Sequence, residues 1–195
     1  VQTCALPILD PSFQDITVTC TAPTKTFNLA GLQISNIFIS NPSIRRLFRQ
    51  EINRCGYSQL GIMGIVATKA AYAQGQEWLD DLNAYLVDNI ALLRCFLLEN
   101  IPQVRLVEPG GTYLAWLDFS ALGLSDQILD HLIVHQAGLW LDEGSMFGVG
   151  GEGFQRINLA CPRPVLHQAL LQLADAIRKG FSTLNSQITQ TQTKY

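Results

Sequence analysis

Lysine is scarce in this sequence: Lys25, Lys69, Lys179 and Lys194 are the only four in 195 residues. Charged residues together make up 15%, and the net charge is −3. A chain so poor in basic charge has no electrostatic footprint for nucleic acid or for an anionic membrane surface. Long apolar runs are also missing, and none approaches the roughly 20 residues of a membrane-spanning helix. The first residues have neither a basic start nor a long apolar stretch, so they do not read as a secretory signal. Cysteine is sparse and odd in number, at positions 4, 20, 55, 95 and 161, with no C-x-x-C or Cys/His zinc spacing. Reduced thiols in a cytoplasmic protein, and no metal site, are the expectation.

Apolar residues, by contrast, reach 48%, enough for one good core or one and a half smaller ones. The opening words VQTCALPI, residues 1–8, fit no periodic pattern and read like a translated short-read sequencing adapter. The alternative is an ordinary apolar segment such as a β-strand. The segment is set aside from fold reasoning, and its adapter reading implies a chain cut upstream.

Periodicity divides the rest into alternating strands and helices. DITVTCT (15–21) and LQISNIFIS (32–40) read as strands. SIRRLFRQEINR (43–54) reads as a helix with Ser43 as its cap and Cys55-Gly56 as its stop. A small-residue helix over 58–74 precedes a clearly amphipathic one over 76–101, with Leu79, Leu82, Leu86, Ile90 and Leu93 at helical spacing. At about 26 residues the second is long enough to join two domains. Strands are expected at 104–108, 112–119, 139–143 and 154–160, a helix over 125–136 capped by Ser125, and a closing helix over 163–184. The polar residues 186–195 read as a disordered tail. The class is α/β or α+β, with the domain boundary in the long helix.

Several features invite chemistry and do not hold it. GVGGEG (148–153) has the glycines of a G-x-G-x-x-G, but a strand follows where a helix is required, so a mobile loop is the better reading. His131 and His135 are four apart on a helix, yet no third ligand is evident, which favours surface histidines. His167 has no visible partner. Trp78, Trp116 and Trp140 read as packing aromatics.

Lys25 stands apart. It follows a predicted strand directly, within TAPTKTFNLAGLQ (21–33). An amine beside apolar strands has its charged form disfavoured, and a neutral amine is what carbonyl chemistry requires. Thr24 adds a hydroxyl and a backbone N–H suited to a phosphate. A plain surface-loop lysine fits the same residues, so at this level both readings stay open.

The words around Lys25 resemble the cofactor-lysine motif of fold-type I pyridoxal-phosphate enzymes, the class I/II aminotransferase superfamily. They are most similar to the cystathionine β-lyase (MalY/PatB-type C–S lyase) branch. The likeness continues in order through AAYAQGQEWLDDLNAYLVDNI, GGTYLAWLDF and GVGGEGFQRINLACPRPVL, over roughly residues 9 to 185. It implies a fold: the end of a large pyridoxal-phosphate-binding domain over 9–92 and a small C-terminal α/β domain over 93–185, together about half of such an enzyme. It also implies roles. Lys25 would hold pyridoxal 5′-phosphate and act as base, Thr24 would touch the phosphate, and Arg156 would clamp the substrate α-carboxylate.

Many aminotransferases of the superfamily carry Arg eight positions after the lysine; here Gln33 stands there, as in the lyase branch without that Arg. The implied activity is therefore β-elimination from L-cystathionine or cysteine conjugates, giving a thiol, pyruvate and ammonia, by a homodimeric parent enzyme. This part alone would be inactive. An aminotransferase is the alternative, and a non-enzymatic regulator on the same scaffold is a further one.

Overall fold

The structure is a computed structural model that describes residues 10–57 and 59–192, with side chains described up to Gly180. The adapter reading of residues 1–8 lies outside the described residues. Contacts divide the chain into two compact units, Val1–Asp81 and Leu82–Tyr195. The expected boundary lay at 92/93; the division falls earlier, inside the same long helix.

In the first unit a 3-10 turn, Pro11–Asp15, is capped by Asp10. Strand β1 (Val18–Thr21) pairs antiparallel with β2 (Asn36–Ile39), Val18 opposite Ile39 and Thr21 opposite Asn36. Both start later than their apolar patterns, because the 3-10 turns Pro11–Asp15 and Ala30–Leu32 run into the first residues of each. Helix α1 (Pro42–Arg54) starts one residue before Ser43, and its cap is Asn41, whose side chain accepts from the N–H groups of Ser43 and Ile44. Pro42 explains the difference: it has no N–H to satisfy and its fixed φ suits the first helical position. Gly56, at φ 76°, closes the helix with Tyr57 N–H on Ile52 O. Helix α2 (Ile62–Gln74) begins four residues later than expected. A Cβ at its Gly64 would lie 3.1 Å from Leu32 O and 3.3 Å from Ile34 Cβ, which is why a small residue sits there. The unit buries little: Pro23, Ile34, Ile39, Gly64 and Thr68 are its buried described residues.

Helix α3 (Gln76–Asn100) carries the chain into the second unit. There β3 (Arg105–Val107), β4 (Leu114–Asp118), β5 (Asp142–Glu143) and β6 (Phe154–Asn158) form one antiparallel sheet in the order β3-β4-β6-β5. Alternation sends Ala115, Leu117 and Ile157 into the core and leaves Trp116, Phe154 and Arg156 on the opposite face. Leu93, Phe96 and Leu97 of α3 meet that core, as do Leu166, Leu170, Leu173 and Ile177 of the closing helix α5 (Arg163–Gln192). Helix α4 (Asp126–His131) is capped by Ser125 as expected, then continues into a π-helical turn, Leu132–Gln136. The expected strand 139–143 shrinks to two residues. Helix α5 runs past position 186, where a tail was expected; residues 193–195 lie outside the described residues.

Asn89 is fully buried in the second unit, with 0% exposure. Its Nδ2 donates to Leu159 O (2.9 Å) and Cys161 O (3.2 Å), and its Oδ1 accepts from Arg163 Nε (3.3 Å). One side chain on α3 thus satisfies the backbone where β6 turns into α5.

Candidate active site

The two clusters of interest lie in different units. In the first unit the chain leaves β1 through Ala22 and the buried Pro23, then turns back over residues 24–28. Phe27 N–H donates to Pro23 O (2.9 Å) and Leu29 N–H to Thr24 O (2.8 Å). Asn28 takes the left-handed conformation, φ 53°, that such a turn requires. The Phe27 ring stacks on Trp78 at 5.7 Å and meets Tyr72 edge-on at 6.4 Å. These contacts tie down both ends of the turn and leave Lys25 exposed on its crest, with Thr24 half-buried beside it. The apolar surroundings expected for the amine are not supplied by the described residues. Among them, Lys25 has no hydrogen-bond or ion-pair partner. Gln33 is exposed at φ 47°, where its N–H closes a 3-10 turn on Ala30 O.

In the second unit the sheet register places Val107, Trp116, Arg156 and Asp142 in a single row across β3, β4, β6 and β5. Arg156 donates from Nε (3.0 Å) and Nη2 (2.7 Å) to one oxygen of Asp142, Oδ2. Its guanidinium carbon sits 4.5 Å from the centre of the Phe147 ring, a cation–π contact. Phe147 in turn meets Trp116 edge-on at 5.1 Å. Both charges are part-exposed, so the ion pair adds on the order of 0–1 kcal/mol to stability; its main effect is to fix the arginine's direction. Beside it, Val107, Trp116, Phe147, Phe154 and the loop 148–151 line a recess of about 310 Å³.

The Gly-rich loop is built into this corner. A Cβ on Gly144 would overlap Gly151 O, and one on Gly151 would overlap Gly144 O, so the two backbones touch. Gly153 N–H donates to Asp126 Oδ1 (2.8 Å), and Phe154 N–H to Gly151 O (3.1 Å), so hydrogen bonds restrain the segment expected to be mobile.

The remaining features separate cleanly. His131 and His135 are exposed with rings 5.0 Å apart, and no metal-binding cluster of His, Cys, Asp or Glu occurs among the described residues. His167 has a partner after all, the edge of Phe96 at 6.1 Å. Of the tryptophans expected to pack, Trp140 is 89% exposed. Asp142 and Phe147 are not marked by any motif; the signal for Asp142 was an acidic pair closing the apolar run LWLDE, on the strand that directly precedes the arginine's and pairs with it. No helix is long and apolar enough to cross a membrane among the described residues.

No protein-family model matches the chain. It is 40% identical over 169 residues to cystathionine β-lyase PatB of Bacillus subtilis, covering 87% of this chain and 44% of that protein. Protein MalY of Escherichia coli is 34% identical over 159 residues, covering 81% of this chain and 41% of that protein. Among solved structures, cystalysin of Treponema denticola, which contains pyridoxal 5′-phosphate, superposes with a TM-score of 0.86 at 36% identity over 89% of this chain and 44% of that one. The fold is thus that of the fold-type I pyridoxal-phosphate proteins. Within it, the chain is a partial-length homologue of the cystathionine β-lyase PatB/MalY group, spanning less than half the length of the curated relatives it matches.

Proposed function

We propose that this chain supplies the anchoring lysine and the carboxylate-binding arginine of a pyridoxal-phosphate-dependent carbon–sulfur β-lyase acting on L-cystathionine or cysteine conjugates. The donor set fits the group: Lys25 offers a primary amine with no competing partner among the described residues, between the hydroxyls of Thr24 and Thr26. Lys25 would hold the cofactor covalently and Thr24 would contact its phosphate. When bound, pyridoxal phosphate supplies an electron sink for the charge left at the substrate Cα.

Arg156 binds the α-carboxylate through paired N–H groups and orients Cα. Lys25, once exchanged for the substrate amine, takes the Cα proton on Nζ. With sulfur at Cβ, the C–S bond breaks as the electrons from Cα form the Cα–Cβ double bond, and the thiolate leaves and takes up a proton; one water then hydrolyses the released three-carbon enamine to pyruvate and ammonia. The single observation that supports the reading best is Arg156, held on one side only, in a chain similar to lyases. Gln33 in place of a phosphate-binding arginine speaks for lyase over aminotransferase. A homodimeric, cytoplasmic parent belongs to the same proposal; the thiols at Cys20, Cys55, Cys95 and Cys161 fit a reducing compartment.

The test uses the full-length protein that carries this chain. Borohydride should trap a cofactor adduct on Lys25, Lys25→Ala should lose it, and L-cystathionine should release pyruvate. An adduct mapped to another residue removes Lys25. Amino transfer to a keto acid without pyruvate release favours the aminotransferase, and a bound cofactor with no turnover at all favours a regulator.

A further inference from the structure

A guanidinium has two forks of parallel N–H groups, one along its Nε side and one at its Nη1–Nη2 end. In Arg156 the first is taken, because Nε and Nη2 both donate to Asp142 Oδ2. The Phe147 ring covers one face of the same group. Nη1 has no partner among the described residues, so the end fork is free. We propose that Asp142 is a positioning residue for carboxylate recognition: it locks the Nε side of Arg156 so that the Nη1–Nη2 fork meets the substrate α-carboxylate. This rests on the reading of Arg156 given above and deepens it.

Three observations carry the inference. Asp142 and Arg156 are direct cross-strand partners, so both side chains leave the same face of the sheet. The contact takes both N–H groups of the Nε side on a single oxygen, which fixes direction and leaves the Nη1–Nη2 fork for a ligand. The ring of Phe147 restricts the remaining freedom, the out-of-plane swing, and itself leans on Trp116. A long side chain held in this way binds its ligand without first having to be ordered. A neighbouring carboxylate also opposes anion binding by its charge, so geometry and charge pull in opposite directions. Asn at 142 separates them: its Oδ1 accepts the same two N–H groups and carries no charge.

The experiment measures kcat and KM for L-cystathionine in the full-length protein with Asp142→Ala, Asp142→Asn, Asp142→Ser and Arg156→Ala. It also records the Arg156 Nε–H resonance by ¹⁵N NMR in the 195-residue chain. Asp142→Ala should raise KM about 5- to 30-fold with kcat changed less than about twofold, and Asp142→Asn should return KM to within about threefold of the parent. Asp142→Ser, too short to reach the guanidinium, should behave as Asp142→Ala and replaces it if that variant does not fold. The Nε–H signal should shift or broaden in the Ala and Ser variants and persist in the Asn variant. If KM is unchanged or falls in both Asp142→Ala and Asp142→Ser while Arg156→Ala raises it, Asp142 is not a positioning residue and the carboxylate assignment stands. An Nε–H signal identical in all variants overturns the inference equally. If Arg156→Ala leaves KM unchanged, the underlying assignment of Arg156 fails.

Discussion

Phe27 and Trp78 stack at 5.7 Å with their planes 28° apart, joining the turn that carries Lys25 to the first turn of α3. Gly75, just before that helix, makes the stack possible. A Cβ there would lie 2.5 Å from Phe27 Cε1 and 2.5 Å from Ala71 O, closer than real contacts allow.

Gly75→Ala should therefore displace Phe27 and loosen the Lys25 turn. Overpacking of this kind costs about 1–3 kcal/mol. A lower thermal midpoint, together with faster amide exchange at residues 24–29, checks it; an unchanged midpoint and exchange would show that the ring yields freely.

Asn89→Leu keeps the branched heavy-atom shape and removes the three hydrogen bonds at the β6–α5 junction. Two buried carbonyls then lose their donor, at a cost of about 2–4 kcal/mol in urea unfolding. Asn89→Ser should cost no less, since its hydroxyl is too short to reach both carbonyls. A loss below about 1 kcal/mol in both variants would mean that water replaces the side chain.

Asp118 predicts a pH dependence. Burial, at 6% exposure, pushes its carboxyl up, but hydrogen bonds from Ser120 Oγ and N–H, then from Arg105, outweigh burial and hold it below the ordinary 3.8. A folded-state value below the unfolded one means stability that is present above pH 3.8 and lost as pH falls through the folded value. Asp118→Asn should thus destabilise the protein at pH 7, with the difference from the parent closing as pH falls below about 4. Parallel melts across that range test it, and a constant difference would contradict the assignment.

The second unit should be the stable one. The main hydrophobic cluster runs from Leu93 to Ile177, entirely within it. The first unit has a two-stranded sheet, marginal in water by itself, and exposes Ile16, Phe38, Leu47, Ile62 and Met63. Residues 82–192 expressed alone should melt cooperatively, whereas residues 10–81 alone should aggregate or lack a sharp transition. A cooperative melt from 10–81 would overturn this.

Legibility from sequence followed the range of the interactions. Helices α3 and α5 and strands β4 and β6 could be read because their apolar periods extend over many residues. The cap of α1 was misplaced by two residues because Pro42 outweighed Ser43, a competition between neighbours that pattern alone does not rank. β5 was overestimated because its apolar flanks Leu139 and Leu141 pack against the core from outside the sheet. Lys25 and Arg156 stood out through their surrounding words. Asp142 and Phe147 did not, because what joins them to Arg156 is sheet order and a loop, visible only once β5 lies beside β6. Among the described residues Lys25 is exposed on a turn, without the apolar setting its flanks suggested.

Trp116 gives this corner a natural optical reporter. Its indole lies beside Phe147, whose other neighbour is the Arg156 cation. With Trp78 and Trp140 changed to Phe, emission would come from one indole in the row that contains the arginine. A carboxylate drawing on the guanidinium would alter the field at that ring, so quenching or a wavelength shift would track its arrival in real time, with no label and no turnover required.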